Sequence, residues 1–300
     1  MLRIFLLSVT SLFLMNIASA QPEHISVLRD KTQKALNDLA GKSGGVMGFC
    51  VLDLTDGTRF ALNEKLVFPQ ASAIKIAILM EVYKQAGEGK FKLTDIRPIR
   101  KEDKAGGSGI LNDLGNDTVQ MSIRDLCVLM MVLSDNSATN MLIDLVGHAN
   151  INATMESLGL RETRVRRRMM DTGASHRGDE NTSTPTEAVR VMELLHTGKF
   201  LNRAACKDMI SILKKGKTTS LGEGLPKEVV IASKPGGITG VKTEWAIIEV
   251  KNRPYAVAVM ENYGMGDAAE TFKEISRTLH DYFSRLGEAT SHGALVKKPK

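Results

Sequence analysis

The polar and apolar positions first fall into register at "ISVLRDKTQKALNDLAG" (Ile25–Gly41), where apolar residues recur at helical spacing and a glycine closes the run. Two runs of β type follow, "GGVMGFCVLDL" and "TRFALN", split by the hairpin signal "TDG". Pro69 ends that section, and from Ser72 the period becomes helical. "SAIKIAILMEVYKQAGEG" reads as a helix with a serine cap. "SIRDLCVLMMVLSD" is apolar enough to be a buried helix, and "SATNMLIDLVG" follows directly. "TPTEAVRVMELLHTG" and "NRAACKDMISILKKG" each have a capping start and a glycine end. Strand patterning returns in "EVVIASKPGG", "KTEWAIIEV" and "RPYAVAVMEN". "DAAETFKEISRTLHDYFSRLG" closes as a helix.

This order predicts an α/β fold of the α+β type with two lobes. One antiparallel sheet flanked by the terminal helices is expected from residues 25–69 and 218–286. An all-helical lobe is expected from residues 70–217, with a ligand cleft between the two. Residues 21–286 then form one catalytic domain, and residues 287–300 a loose polar tail.

Composition changes this picture little. The 300 residues, 43% of them hydrophobic, are enough for one large domain or two lobes. The net charge of +6 is scattered, apart from "RVRRR" (Arg164–Arg168) and "KKPK" at the C-terminus. Neither cluster has interleaved aromatics, so no nucleic-acid partner is expected. The first twenty residues read as a secretory signal, with "MLR" before an apolar middle and "ASA" before a cleavage site after Ala20. The alternative is a retained signal anchor. The mature protein is expected to be secreted or periplasmic, without a stable membrane span. Three cysteines, Cys50, Cys127 and Cys206, leave at least one thiol unpaired, and each lies in an apolar segment that suits a buried free thiol. The six dispersed histidines offer no metal-ligand spacing and no support for a His-based triad.

Candidate chemistry starts at "SAIK". Ser72 and Lys75 sit three apart at a helix start, where backbone N–H groups favour developing negative charge. A lysine in so apolar a helix should have a lowered pKa and accept the serine proton. Alone the motif is weak, because "SILK" (Ser211–Lys214) matches it too. "SDN" (Ser134–Asn136) alone reads as an interhelical turn, and "SKPGG" (Ser233–Gly237) as a strand ending in a Pro/Gly turn. Their occurrence together, in this order, carries more weight than any one of them.

In these three motifs the chain resembles the class A β-lactamases and the wider penicillin-recognising serine hydrolases, which carry Ser-x-x-Lys, Ser-Asp-Asn and Lys-Thr-Gly in that order. The resemblance runs from about Ile25 to Leu286 and includes "FPQAS", "LSDNSATNML" and "TSTPTEAVRVMELLHTG". It implies the two-lobed fold and a set of roles. Ser72 is the nucleophile and Lys75 its base. Ser134 relays a proton to the leaving nitrogen. Asn136 holds the substrate side-chain amide and the Lys75 ammonium. Lys234 meets the substrate carboxylate. The Ser72 and Gly237 N–H groups form the oxyanion hole, with Gly236 beside them.

Two positions depart from the family pattern. Pro235 replaces the Thr or Ser hydroxyl that helps bind the carboxylate, and a proline there implies a strand at the sheet edge. Lys242 is a candidate substitute, or an ordinary solvated lysine. The family's water-activating Glu, followed by an Asn, is missing from "TRVRRRMMDTGASHRGDENTSTP". Asp171 is the nearest carboxylate, while Asp179 and Glu180 are expected to pair with arginines. "KAGGSGIL" (Lys104–Leu111) should edge the cleft, with Ser108 as a lining residue. The expected activity is hydrolysis of β-lactam rings through a Ser72 acyl-enzyme, with a small-molecule substrate, no metal, no cofactor and a monomeric state. Two alternatives stay open. One is a penicillin-binding protein, cell-wall peptidase or esterase with slow deacylation. The other is a protein that binds β-lactams or peptidoglycan fragments without turnover.

Overall fold

The computed structural model describes residues 23–266 and 268–295. The expected signal sequence with its cleavage after Ala20 lies outside the described residues, as do residues 296–300 of the tail.

Helix α1 (Glu23–Ala40) leads into the hairpin of β1 (Val46–Asp53) and β2 (Arg59–Leu62), whose turn places Gly57 at φ 81°. Strand β3 (Phe68–Pro69) precedes a 3-10 turn (Ala71–Ile74) and helix α2 (Lys75–Gly87). The ribbon of β4 (Ile96–Pro98) and β5 (Gln120–Ser122) then introduces α3 (Ile123–Val132), α4 (Asn136–Val146) and α5 (His148–Ser157). After α6 (Thr172–His176), β6 (Thr182–Ser183) pairs back to β3. Helices α7 (Pro185–Thr197), α8 (Arg203–Leu213) and α9 (Ser220–Glu223) complete the helical block. Strands β7 (Val230–Ile238), β8 (Val241–Glu249) and β9 (Tyr255–Asn262) and helix α10 (Ala269–Glu288) end the fold. The two short ribbons escaped the sequence pattern because strands of two or three residues have no period to read. Helix α10 runs past Gly287, which packs inside it against the Lys251 carbonyl where a Cβ would have no room. Beyond it, Ala289 bridges to Leu295.

The main sheet has the order β2-β1-β9-β8-β7 and is antiparallel throughout. Side chains alternate between its faces, which separates the core into two layers. Trp245 and Ile247 join the layer with the helical block, built on α2, α3 and α7. Ala246 and Ile248 join the layer under α1 and α10. There the Phe60 and Tyr282 rings meet edge to face at 4.9 Å, and Tyr255 stacks on Phe283 at 4.1 Å. Helix α2 is buried almost all round, so its buried polar groups need partners. Glu81, for example, accepts from Gln85 Nε2 (2.7 Å) and Thr154 Oγ1 (2.5 Å). All three cysteines are buried and free, as their apolar settings suggested. Among the described residues no helix is long and apolar enough to cross a membrane. With β7 last in the order, Pro235 stands on a free edge, where a missing N–H does least harm.

Candidate active site

The approach to Ser72 is fixed by Gln70. This buried side chain donates from Nε2 to Phe68 O (2.9 Å) and accepts from Trp245 Nε1 (2.9 Å). Its backbone accepts from Thr243 Oγ1 (2.9 Å), and its N–H donates to Asn181 O (2.8 Å). The strand-to-helix corner is thus pinned to β8 and to the segment before β6. Ser72 sits inside the 3-10 turn, whose N-cap position is Gln70, and neither this turn nor α2 has a side-chain cap hydrogen bond. The sequence suggested a serine cap. Instead the Ser72 hydroxyl borders the cleft between the sheet edge and the helical block.

One turn on, Lys75 is fully buried at the first position of α2. Its Nζ donates to Ser134 O (2.7 Å), Ser134 Oγ (3.1 Å) and Asn136 Oδ1 (3.0 Å). Lys234, on β7, donates to the same Ser134 Oγ at 3.1 Å and to Pro235 O at 2.8 Å. Two lysine nitrogens therefore converge on one hydroxyl. Ser134 reaches them from a left-handed backbone, φ 53°, in the link between α3 and α4. Asp135 caps α4 by accepting from Ala138 N (2.9 Å), and it also takes the N–H groups of Ile110 and Leu111 (2.7 and 2.9 Å). This ties "SDN" to the glycine-containing loop. Asn136 Nδ2 donates to Gly106 O (2.9 Å). Gly109, at φ 115°, lies so close to Asp135 that a Cβ would fall 2.3 Å from its carboxyl.

Burial holds Lys75 well below the ordinary lysine value, the nearby Lys234 charge lowers it further, and Asp135 opposes both. Burial, then the Lys217 charge, bring Lys234 down to about 7, against the pull of Glu244. Lys75 is thus disposed toward the free amine. Its contact with Ser134 Oγ then reverses, with the hydroxyl donating to the amine.

The edge of β7 completes the site. A Cβ on Gly236 would lie 2.6–2.8 Å from Gln70 O, Ala73 N and Ser72 N, so only glycine lets strand and 3-10 turn approach this closely. Pro235 O accepts from Lys234 Nζ, away from the β8 ladder. In an antiparallel strand the backbone two residues on faces the same way, which turns the Gly237 N–H toward the cleft beside Ser72. Ser108 lines the same cavity.

The other sequence candidates divide. Asp171 is exposed, accepts from Ala174 N (2.9 Å) and caps α6. The cavity on that side of Ser72 is lined instead by Met169, Met170, Thr172 and His176. Asn140 grips the Met169 backbone, accepting from its N–H (2.8 Å) and donating to its carbonyl (3.2 Å). Glu180 pairs with Arg167 (2.9 Å) and Asp179 with Arg177 (3.3 Å), the expected kind of partner. Lys242 projects over the Phe272 ring, 6.0 Å from its centre, and also borders the cavity. Sequence reasoning missed Gln70, Thr243, Lys217 and Glu244. The only signal was a polar residue inside an apolar run, as Glu244 is in "KTEWAIIEV".

Ser72 at the cleft, with Ser134 held between two lysines of lowered pKa and the Gly237 N–H turned the same way, is an arrangement suited to acyl transfer through a serine ester. The relatives agree. The chain belongs to the beta-lactamase enzyme family, whose profile matches residues 31–283. It is similar to Beta-lactamase Toho-1 of Escherichia coli, 29% identical over 236 residues that span 77% of this chain and 80% of the relative. Among solved structures it is similar to a PBP-A variant in its acyl-enzyme complex with penicillin G, with TM-score 0.78 and 26% identity over 85% of this chain and 96% of that one. An ancestral class A β-lactamase gives TM-score 0.78 and 28% identity over 84% of this chain and all (100%) of its own.

Proposed function

We propose that the protein is a serine hydrolase of β-lactamase type that opens β-lactam rings through an ester on Ser72. The observation that carries the proposal is the convergence of Lys75 and Lys234 on Ser134 Oγ, 3.1 Å from each nitrogen. Neutral Lys75 takes the Ser72 proton, and Oγ attacks the lactam carbonyl carbon. The oxyanion that forms meets the Ser72 and Gly237 N–H groups. The C–N bond then breaks, and the nitrogen takes a proton from Ser134, which is resupplied from the Lys75 ammonium. Lys234 faces the substrate carboxylate, and Asn136 the side-chain amide. Water finally hydrolyses the ester, and no step calls for a metal or cofactor. The first twenty residues support work outside the cytoplasm, after cleavage at Ala20.

Intact mass of the mature protein, followed over time with a penicillin, tests this. A covalent adduct of the penicillin's mass is expected, and it should vanish in Ser72→Ala. A well-folded wild type with no adduct overturns the proposal, and an adduct that survives Ser72→Ala overturns the nucleophile.

The same geometry favours a slow second half-reaction. The wall next to Ser72 carries methionine side chains, while the Asp171 carboxylate is committed to α6. The lifetime of the adduct separates rapid turnover from lasting capture.

A further inference from the structure

We propose that Glu244 is a positioning residue for this reaction: its carboxylate, beside the cleft at the free sheet edge, holds Lys234 as an ammonium ion and keeps the cleft selective for substrates bearing a carboxylate. The inference rests on the role given to Lys234 above.

Glu244 stands opposite Pro235 in the β7–β8 ladder, next to the pair of Lys234 and Trp245. Alternation sends the Glu244 and Lys234 side chains to opposite faces of the sheet. Because β7 is the free edge, the cavity runs round it, and Ser72, Ser134, Lys234 and Glu244 all line it. The Glu244 side chain is buried, with residue exposure of 1%. Its Oε2 accepts from Leu221 N (3.1 Å) at the start of α9, and its Oε1 has no hydrogen-bond partner among the described residues. A buried carboxyl oxygen without a partner is costly unless a cation lies near it.

Three lysines surround this group. Lys217, on the segment between α8 and α9, has its Nζ tied to Leu213 O (2.5 Å) and Lys215 O (3.1 Å), at the end of α8. Lys242, on the same strand, leans over Phe272 and stands across from Glu261. Lys234 alone among them reaches the Ser134 hydroxyl. Beyond Lys234 lie Lys75 and Asp135. Burial pushes the Glu244 carboxyl up, opposed by the Leu221 N–H, the nearby Thr219 and Ser233 hydroxyls and Lys242. For Lys234 the signs are opposed as well, since Lys217 drives it toward the free amine and Glu244 toward the cation. With Lys234 already down at about 7, losing one negative charge moves it further toward the free amine. A neutral Lys234 neither attracts a substrate carboxylate nor polarises Ser134.

The test is a titration of lysine side chains by NMR on protein carrying 13C at lysine Cε, with the Lys234 signal assigned by its loss in Lys234→Arg. Glu244→Gln, which keeps an acceptor for Leu221 N, should lower the Lys234 midpoint by about one pH unit. Lys217→Gln should raise it. The alkaline limb of acylation by a penicillin should move with each midpoint, whereas an ester substrate without a carboxylate should lose little binding in Glu244→Gln. An unchanged midpoint, or shifts of the same sign in both variants, overturns the proposal. Should Glu244→Gln not fold, 13C at Glu Cδ in the wild type decides, because a Glu244 that stays protonated through pH 7 overturns it equally. Absence of an adduct in the wild type would strike the proposed function, while the titration judges Glu244 by itself.

Discussion

Ser134 reaches two lysines because its backbone is left-handed, and it shares this with two other cleft residues. Ala71, Ser134 and Met170 have φ of 44°, 53° and 65°, and all lie at or beside the Ser72 cavities. Such conformations cost a non-glycine residue about 1 kcal/mol or more and persist where packing enforces them. Ser134→Gly relieves that strain and removes the hydroxymethyl side chain. Stability should therefore hold within about 1 kcal/mol, while acylation falls about 100-fold or more. Urea midpoints and adduct formation rates check both, and an undiminished rate removes Ser134 from the proton path. At this scale the sequence was informative wherever function is written in neighbours along the chain. Ser72 with Lys75 and Ser134 with Asn136 are such pairs. Gln70 and Glu244 were illegible because their roles depend on what lies across a ladder or a corner. Nothing local in "PQAS" says that its glutamine meets the indole of Trp245.

The segment holding Met169, Met170 and α6 walls the Ser72 cavity on the side where the proposed hydrolysis of the ester would need a base. Its backbone is anchored by Asn140 at Met169, by Asp171 at the start of α6, and by the Arg167–Glu180 pair. Asn also serves as a helix cap, so Asp171→Asn should leave the adduct lifetime unchanged. Met169→Glu places a carboxyl on the wall of the Ser72 cavity, where burial raises its pKa toward that of a useful base. The adduct should then decay at least about tenfold faster. Mass spectrometry of pre-acylated protein measures both, and a lifetime lengthened by Asp171→Asn would return that carboxylate to the mechanism. Helix boundaries such as α7, with Thr184 as cap and Pro185 first, could be read beforehand because caps are chemical signals. Strands β3 and β6 could not, although they hold this segment beside Ser72.

Across the whole molecule, the buried lysines couple the site to stability. Lys234 falls from 10.5 to about 7 and Lys217 to about 8, with Lys75 also depressed. Above about pH 7 the unfolded chain therefore binds more protons than the native one, and stability rises with pH. Burial pushes the Cys50 thiol up to about 12, which opposes the trend once unfolded thiols ionise near 9. The clean window lies between. Over roughly pH 7 to 8.5 the slope of unfolding free energy against pH should flatten in Lys234→Met. Parallel slopes in the two proteins would show that Lys234 titrates normally. In the same window acylation should decline as pH rises through about 7, because Lys234 loses its charge. The architecture at this scale was largely legible, since alternating strands and periodic helices report which faces are buried. The strand order was not, because it is set by pairings such as β1 with β9, far apart in sequence.

The free edge of β7 has a consequence beyond substrate. Beyond the 3-10 turn that packs on Gly236, β7 leaves backbone without a neighbouring strand, and such edges are where proteins aggregate. Pro235 stands in the middle of that strand with no N–H to give. A second strand laid along it would find the row of donors broken at its centre. The ring that deprives the cleft of a hydroxyl thus also guards it, leaving the edge open to a small substrate and uninviting to another polypeptide.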